Sequence, residues 1–434
     1  MSQKRAIVWF KTDLRLTDNE TVSKALAQSD WLLPVFFIDP EQFTQNEQGM
    51  RKTGFFRAKF LVESLQDLDH QLRGKGSGLL VVEGTAEMEL PQLVKEYGIT
   101  KVFCKQEVAP EELLALTTVE QKLWKLGCTV ESFSTSTLYH AVDLPFTLRE
   151  IPDVFTKFRK RIEKECLVRG TLPEIGNFNG PIVPSLPSFD LKKWGMEEQT
   201  PDPRSSFPFK GGERSAQERI TAYFFEQKGL FTYKETRNGL NGLHYSSKLS
   251  PWLALGCISP RFVYSRIKEA EQSFGANESS YWLYFELLWR EYFRFMMKKH
   301  KNRMFSFTGF NGLKNNQNPS LNQQENFLRW KKGQTEDPFV NAFMKELNAT
   351  GYMSNRGRQN AASYLIDYLH VDWRLGAAYF EEQLIDYDVS SNWGNWAYLA
   401  GVGNDPRGKR VFDTQKQASN YDPKNAFQEL WKTI

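Results

Sequence analysis

The sequence predicts an α/β domain built on a doubly wound, parallel, five-stranded sheet, followed by an all-α domain. Three observations predict it. Over residues 1–133, short continuous apolar runs alternate with amphipathic stretches. Over 211–434, apolar residues recur with a 3.6-residue period instead. Between them, 134–210 is rich in Pro, Gly, Asn and Ser, as in PEIGNFNGPIVPSLPSFD, and reads as a long surface connector.

The strands are predicted at AIVWF (6–10), WLLPVFFID (31–39), GLLVVEG (78–84), KVFCK (101–105) and CTVESF (128–133). Helix-like stretches lie near 18–28, 51–73, 86–97 and 110–126. Strands without polar alternation are buried on both faces, which is the pattern of a parallel sheet covered by helices. Right-handed crossovers then give the doubly wound arrangement. After the first strand stands WFKTDLRL, so neither the glycine fingerprint of dinucleotide-binding folds nor a P-loop is present.

In the connector, VFTKFRKRIEKE (154–165) is a basic amphipathic piece with the look of a solvated helix face. Helices are predicted at 213–227, 260–272, 280–300, 341–348, 358–370 and 373–386. Ser-Pro before Arg261 is a helix start signal.

Composition narrows the function. The chain has 434 residues, 40% hydrophobic and 25% charged, which is a globular balance rather than a disordered one. No apolar run approaches the roughly 20 residues that span a bilayer, and MSQKRAIVWF has no signal-peptide design, so a cytoplasmic protein is expected. Cys104, Cys128, Cys166 and Cys257 are scattered without metal spacing, and the five histidines do not cluster, so no metal and no disulfide frame are expected. A net charge of +4 is too small to establish a nucleic-acid partner.

One window stands out. Residues 372–407 hold Trp373, Trp393, Trp396, Tyr379, Tyr387 and Tyr398 together with Asp372, Asp386, Asp388 and Asp405. Rings and acids this dense point to a pocket for a large, flat, polar-edged cofactor. Here the chain resembles the photolyase/cryptochrome family. The motifs are YSSKLSPWLALGCISPR, FELLWREYFRF, TGYMSNRGRQNAASYL, DWRLGAAYFEEQLIDYDVSSNWGNWAY and GVGNDPR, with WFKTDLRLTDN near the start. GNWAYLAGVGNDPR and MSNRGRQN resemble its DASH branch in particular.

The resemblance implies FAD in the helical domain. Ser246, Ser247, Lys248, Leu249 and Ser250 would hold its phosphates, with Tyr233 upstream. On local sequence alone the same segment is a plain helix cap. Asp386, Tyr387 and Asp388 with Arg358 would hold the isoalloxazine, and Asn392 would face its N5 edge. Trp396 and Trp373 would be the first two steps of an electron-hopping chain. Its third tryptophan would fall at Ser320, but NNQNPSLNQQ (315–324) contains none.

Glu286, Trp289, Met353, Asn355 and Tyr398 would form the substrate mouth, with Trp289 stacking on a flipped pyrimidine dimer and Glu286 hydrogen-bonding it. Arg290 and the basic run 290–303, with Arg356, would meet DNA phosphates; a solvated helix end is the other reading. Ser354, where (6–4) photolyases carry His, argues against that lesion. Tyr398 in place of a second Trp implies a preference for single-stranded DNA. Glu107 resembles the acid that contacts a 5,10-methenyltetrahydrofolate antenna; an exposed loop Glu is the alternative. The expected function is therefore blue-light repair of cyclobutane pyrimidine dimers by a monomeric enzyme, Glu286, Asn392, Trp396 and Trp373 being its catalytic set. A signalling photoreceptor is the competing class.

Overall fold

The computed structural model describes residues 3–312, 319–405 and 411–433. The stretch 315–318 of the missing-tryptophan segment and Pro406–Arg407 of GVGNDPR lie outside them. The N-terminal half is the predicted sheet, all parallel, in strand order β3-β2-β1-β4-β5. Its strands are β1 Arg5–Phe10, β2 Trp31–Ile38, β3 Leu80–Glu83, β4 Lys101–Lys105 and β5 Thr129–Phe133. They alternate with α1 Glu20–Gln28, α2 Phe55–Gly74, α3 Ala86–Tyr97 and α4 Pro110–Trp124. Ile7, Val35, Val102 and Cys104 of the sheet pack on α3 and α4, while Val8, Phe36 and Phe103 face a second, larger core shared with the helical half.

The connector is largely exposed but is pinned down by buried anchors. Leu138, Tyr139, Phe146, Ile151, Phe178 and Phe207 are buried along it. Asn179 accepts the Leu32 amide hydrogen at 2.7 Å. The basic piece forms α5, Phe155–Glu165, and buries Phe155, Phe158 and Ile162. Isolated anchors among prolines leave no periodic pattern, so the sequence shows their polarity and hides their burial.

The helical half runs α6 Glu213–Ile220, α7 Tyr233–Thr236, α8 Ser250–Ala254, α9 Pro260–Phe274, α10 Glu278–His300, α11 Gln323–Lys331, α12 Pro338–Thr350, α13 Asn355–Asp367, α14 Trp373–Gln383, α15 Val389–Leu399, α16 Thr414–Tyr421 and α17 Ala426–Leu430. After α6 the backbone continues as a π-helical turn, Thr221–Glu226. The 23-residue α10 is the axis, packing on α7, α9 and α15. No described helix is long and apolar enough to cross a membrane.

The WFKTDLRL loop locks the halves together. Arg15, 1% exposed, donates to the carbonyls of Gly256, Thr135, Asp18 and Thr17. Asp18 takes both Nε and Nη2 of Arg261, at 3.1 and 2.7 Å, and the Ser259 hydroxyl. Glu213 accepts the amide hydrogens of Leu16 and Thr17. These groups are satisfied only when both halves are present.

Candidate functional site

A cavity of about 260 Å³ opens between α7, α8, α10 and α13. Tyr233, Ser246, Ser247, Lys248, Leu249 and Ser250 all line it. The segment is held from behind by buried Arg219, which donates to the carbonyls of Leu243, Ser246 and Ser247. With its carbonyls occupied, and no side chain capping α8, its amide groups remain for an anion. Lys248 has a positive φ of 61°. Its Nζ is buried without a hydrogen-bond partner and lies 3.4 Å from the Tyr245 ring centroid and 4.4 Å from that of Tyr352. Burial pushes this amine well below the ordinary lysine range, Glu346 being the strongest compensating charge. Burial likewise lifts Glu346 to about 8.

Across the cavity, Arg358 Nη2 meets Asp386 Oδ2 at 2.8 Å, and its Nε donates to the Met353 carbonyl. Asp386 Oδ1 is buried with no hydrogen-bond partner. An orphaned carboxylate oxygen and an orphaned ammonium in one cavity wall are what a polar ligand of the FAD type would satisfy. Asp388 caps α15 through the Ser391 amide (2.8 Å) and pairs with Arg294 (3.3 Å). Burial pushes its carboxyl upward, but Arg294, then Arg290, together with hydrogen bonds from Ser391, draw it below the ordinary aspartate value.

Tyr387 does not join its two neighbours. A turn at Ile385–Asp386, closed by the Tyr387 amide on the Leu384 carbonyl, separates the three side chains, and of them only Asp386 and Asp388 line the cavity. The Tyr387 ring lies under the Arg57 guanidinium, 4.6 Å away, and its hydroxyl accepts the Trp393 indole hydrogen at 3.3 Å. Asn392 lies behind the cavity wall, buried, with Nδ2 donating to the Ala377 carbonyl on α14.

At the mouth, Glu286, Met353 and Asn355 line the cavity. Glu286 pairs with Arg237, a residue the sequence did not single out because it follows only the short α7. Burial raises Glu286 above the ordinary glutamate range despite Arg237.

Two mouth assignments need correction. Trp289 is not free to stack: its ring lies on Phe155, centroids 3.7 Å apart and 13° from parallel, with Phe293 at 5.6 Å. Tyr398 stands edge-on to Trp289 at 6.2 Å, outside the cavity lining. Arg356, expected at DNA phosphates, stands outside the cavity lining, half-buried, bonded to Asn238 and Gln359 and lying over Tyr421.

Much of the basic run is engaged inside the protein, while Lys301 and Arg303 are exposed. Arg290 lines the cavity and donates to the carbonyls of Ser136 and Leu253, and burial lowers its pKa to about 10. Arg294 is 4% exposed. Lys299 bonds Asp153 and the Ile151 carbonyl, and Arg303 bonds the Phe310 carbonyl. Counting charges cannot show that backbone carbonyls have consumed them.

Trp373 and Trp396 are buried, at 0% and 2% exposure. Trp396 packs on Gly376, one turn from Trp373 on α14; a Cβ there would sit 2.3 Å from the indole. Gly376→Ala is therefore expected to overpack the core and lower stability by about 1–3 kcal/mol, read by thermal unfolding. Ser320 is half-buried and presents no ring.

Glu107 is no exposed loop residue. It is 5% exposed, 3.1 Å from Lys105 Nζ and 3.9 Å from Arg294 Nη2. Burial raises it, but Lys105 first, then Lys11 and Arg294, bring it below the ordinary glutamate value. Arg294 thus stands between Glu107 of the sheet domain and Asp388 of the cavity. Among the described residues no three His, Cys, Asp or Glu side chains gather as a metal site would require.

Two family models match this chain: DNA photolyase over residues 6–176 and the FAD binding domain of DNA photolyase over 282–432. The chain is 45% identical to a cryptochrome DASH of Gloeobacter violaceus, over 99% of its own length and 86% of the relative's. It is 44% identical to one of Danio rerio, covering 99% and 84%. A solved cryptochrome of Synechocystis superposes with a TM-score of 0.94 at 43% identity, over 99% and 89% of the two chains. A class III photolyase of Agrobacterium tumefaciens gives 0.84 at 26% identity, over 99% and 87%.

Proposed function

The chain belongs to the photolyase/cryptochrome family, in its cryptochrome DASH branch, and from that premise we propose that it repairs cyclobutane pyrimidine dimers in single-stranded DNA under blue light. One observation carries this reading. The orphaned polar atoms of Lys248 and Asp386, suited to a cofactor, share a single cavity with the mouth residues Glu286, Arg237, Met353 and Asn355.

In this reading Ser246–Ser250 and Lys248 hold the FAD phosphates, and Arg358 with Asp386 and Asp388 hold the ring system. When bound and reduced, FAD supplies the photoexcited electron that splits the dimer and takes it back. The residues of this chain do the rest. Glu286 and Arg237 orient the flipped lesion, and Met353 gives it an apolar seat. Asn392, an amide that carries no acidic proton at neutral pH, favours the anionic reduced flavin. Trp396 and Trp373 conduct electrons inward, and Glu107 serves a folate antenna. A single strand needs no unpairing to reach the mouth.

The covered face of Trp289 favours a second reading, a photoreceptor that does not grip a lesion. Illuminating the reduced protein with dimer-bearing oligonucleotides separates the two. Loss of dimers from single strands is expected; no loss from single or double strands overturns repair. Trp396→Phe is expected to slow photoreduction of the bound flavin at least tenfold, and an unchanged rate removes Trp396 from the route.

A further inference from the structure

Two rings of the 372–407 window, Trp393 and Tyr387, stand outside the cavity lining. They nevertheless join the buried tryptophans to a half-buried carboxylate on α14. Trp393 meets Trp373 edge-on, centroids 5.8 Å apart at 73°. Trp373 is fully buried and cannot exchange electrons with solvent, whereas Trp393, Tyr387 and Glu381 are all half-buried. The Trp393 indole hydrogen is donated to Tyr387 Oη at 3.3 Å. Glu381, on the last turn of α14, neighbours both rings, which favour its charged form. Arg57 lies over the Tyr387 ring, and Arg57 and Lys52 together balance the Glu381 charge.

The other aromatic branch does not offer this chemistry. Trp396 meets Trp330 at 6.3 Å and Trp330 meets Tyr379 at 5.8 Å. Trp330 is fully buried and Tyr379 is 5% exposed. The Tyr379 hydroxyl is donated to Asn348 Oδ1, an amide that does not accept a proton at neutral pH. A phenol loses an electron readily only when its proton has somewhere to go, and Glu381 supplies that place for Tyr387.

We propose that Trp393, Tyr387 and Glu381 form a proton-coupled outlet for the electron route, in place of a tryptophan at Ser320. The proposal rests on the flavin reading above, since the oxidant is the light-excited oxidised flavin. The step balances as follows. One electron passes from the Tyr387 phenol to an oxidised Trp393, restoring the indole. The phenol O–H bond breaks and its proton bonds to a Glu381 carboxylate oxygen, leaving a neutral tyrosyl radical beside a neutral acid. A soluble thiolate then gives one electron to Tyr387 and becomes a thiyl radical. Glu381 returns the proton to the phenol and is again a carboxylate.

The test is electron paramagnetic resonance of the flavin-loaded protein, illuminated without thiol. A tyrosyl signal is expected in the parent protein. It should disappear in Tyr387→Phe and in Trp393→Phe, and decay at least tenfold faster in Glu381→Gln, which keeps the shape but takes no proton. Flavin absorbance in each variant serves as the folding control. A tyrosyl signal that persists in Tyr387→Phe overturns the outlet, as does a parent protein whose lasting radical is a tryptophanyl unaffected by Trp393→Phe. A folded parent protein that binds no flavin overturns the flavin reading itself, a result distinct from either.

Discussion

Replacing Arg358 by alanine is expected to give a folded, colourless protein. Asp386 is the reason. Its side chain is 2% exposed, and Arg358 is its one ion-pair partner among the described residues. Removing one member of a buried pair leaves the other charge unsatisfied and costs about 3–5 kcal/mol. Where that pair also forms the cavity wall, the loss falls on the ligand, roughly a hundred- to thousandfold in affinity. Arg358→Lys keeps the charge but loses the planar fork that reaches both Asp386 and the Met353 carbonyl, so partial flavin occupancy is expected. The measurement is flavin absorbance per protein after purification, with circular dichroism as the folding control. Full occupancy in Arg358→Ala would show that Asp386 does not hold the cofactor.

Glu286→Ala should have the second large effect, on a different quantity. Glu286 stands at the mouth, paired with Arg237, and its raised pKa reflects the partial dryness of that position. A hydrogen bond involving a charged group contributes about 1.5–3 kcal/mol, which converts to roughly ten- to hundredfold in repair yield. Flavin content should remain that of the parent protein, because the Arg358–Asp386 and Arg294–Asp388 pairs are left in place. Repair yield per absorbed photon on single-stranded substrate is the readout. An unaffected yield removes Glu286 from lesion recognition.

The strands were legible to within two residues because a parallel strand buried on both faces is apolar through its centre, as are AIVWF, WLLPVFFI and the VFC centre of KVFCK. The helix α15 was harder to read: VSSNWGNWAYL is dominated by small and polar residues and has no clear apolar stripe. At the site, Ser246–Ser250, Arg358, Asp386 and Asp388 were legible as a set because their motifs are long and ordered. Tyr387 was misplaced with them, since the turn at Ile385–Asp386 separates side chains that are adjacent in sequence. Arg290 and Arg294 looked like a DNA-facing stripe, yet they sit on the inward side of α10, where carbonyls and carboxylates of other segments meet them. Arg237 and Glu381 reach their partners only through the tertiary fold, so no local spacing announces them.

The lock formed by Arg15, Asp18 and Glu213 has a consequence for how this chain can be divided. Its sheet and its helices look like two modules, but each half carries buried charges whose partners belong to the other. A recombinant fragment cut in the connector would inherit those charges without their counterparts. Recombination between relatives is constrained in the same way: a foreign sheet half is compatible only if it brings an Asp18–Arg15 equivalent in register with Arg261, Gly256 and Glu213. The inheritable unit is the whole chain.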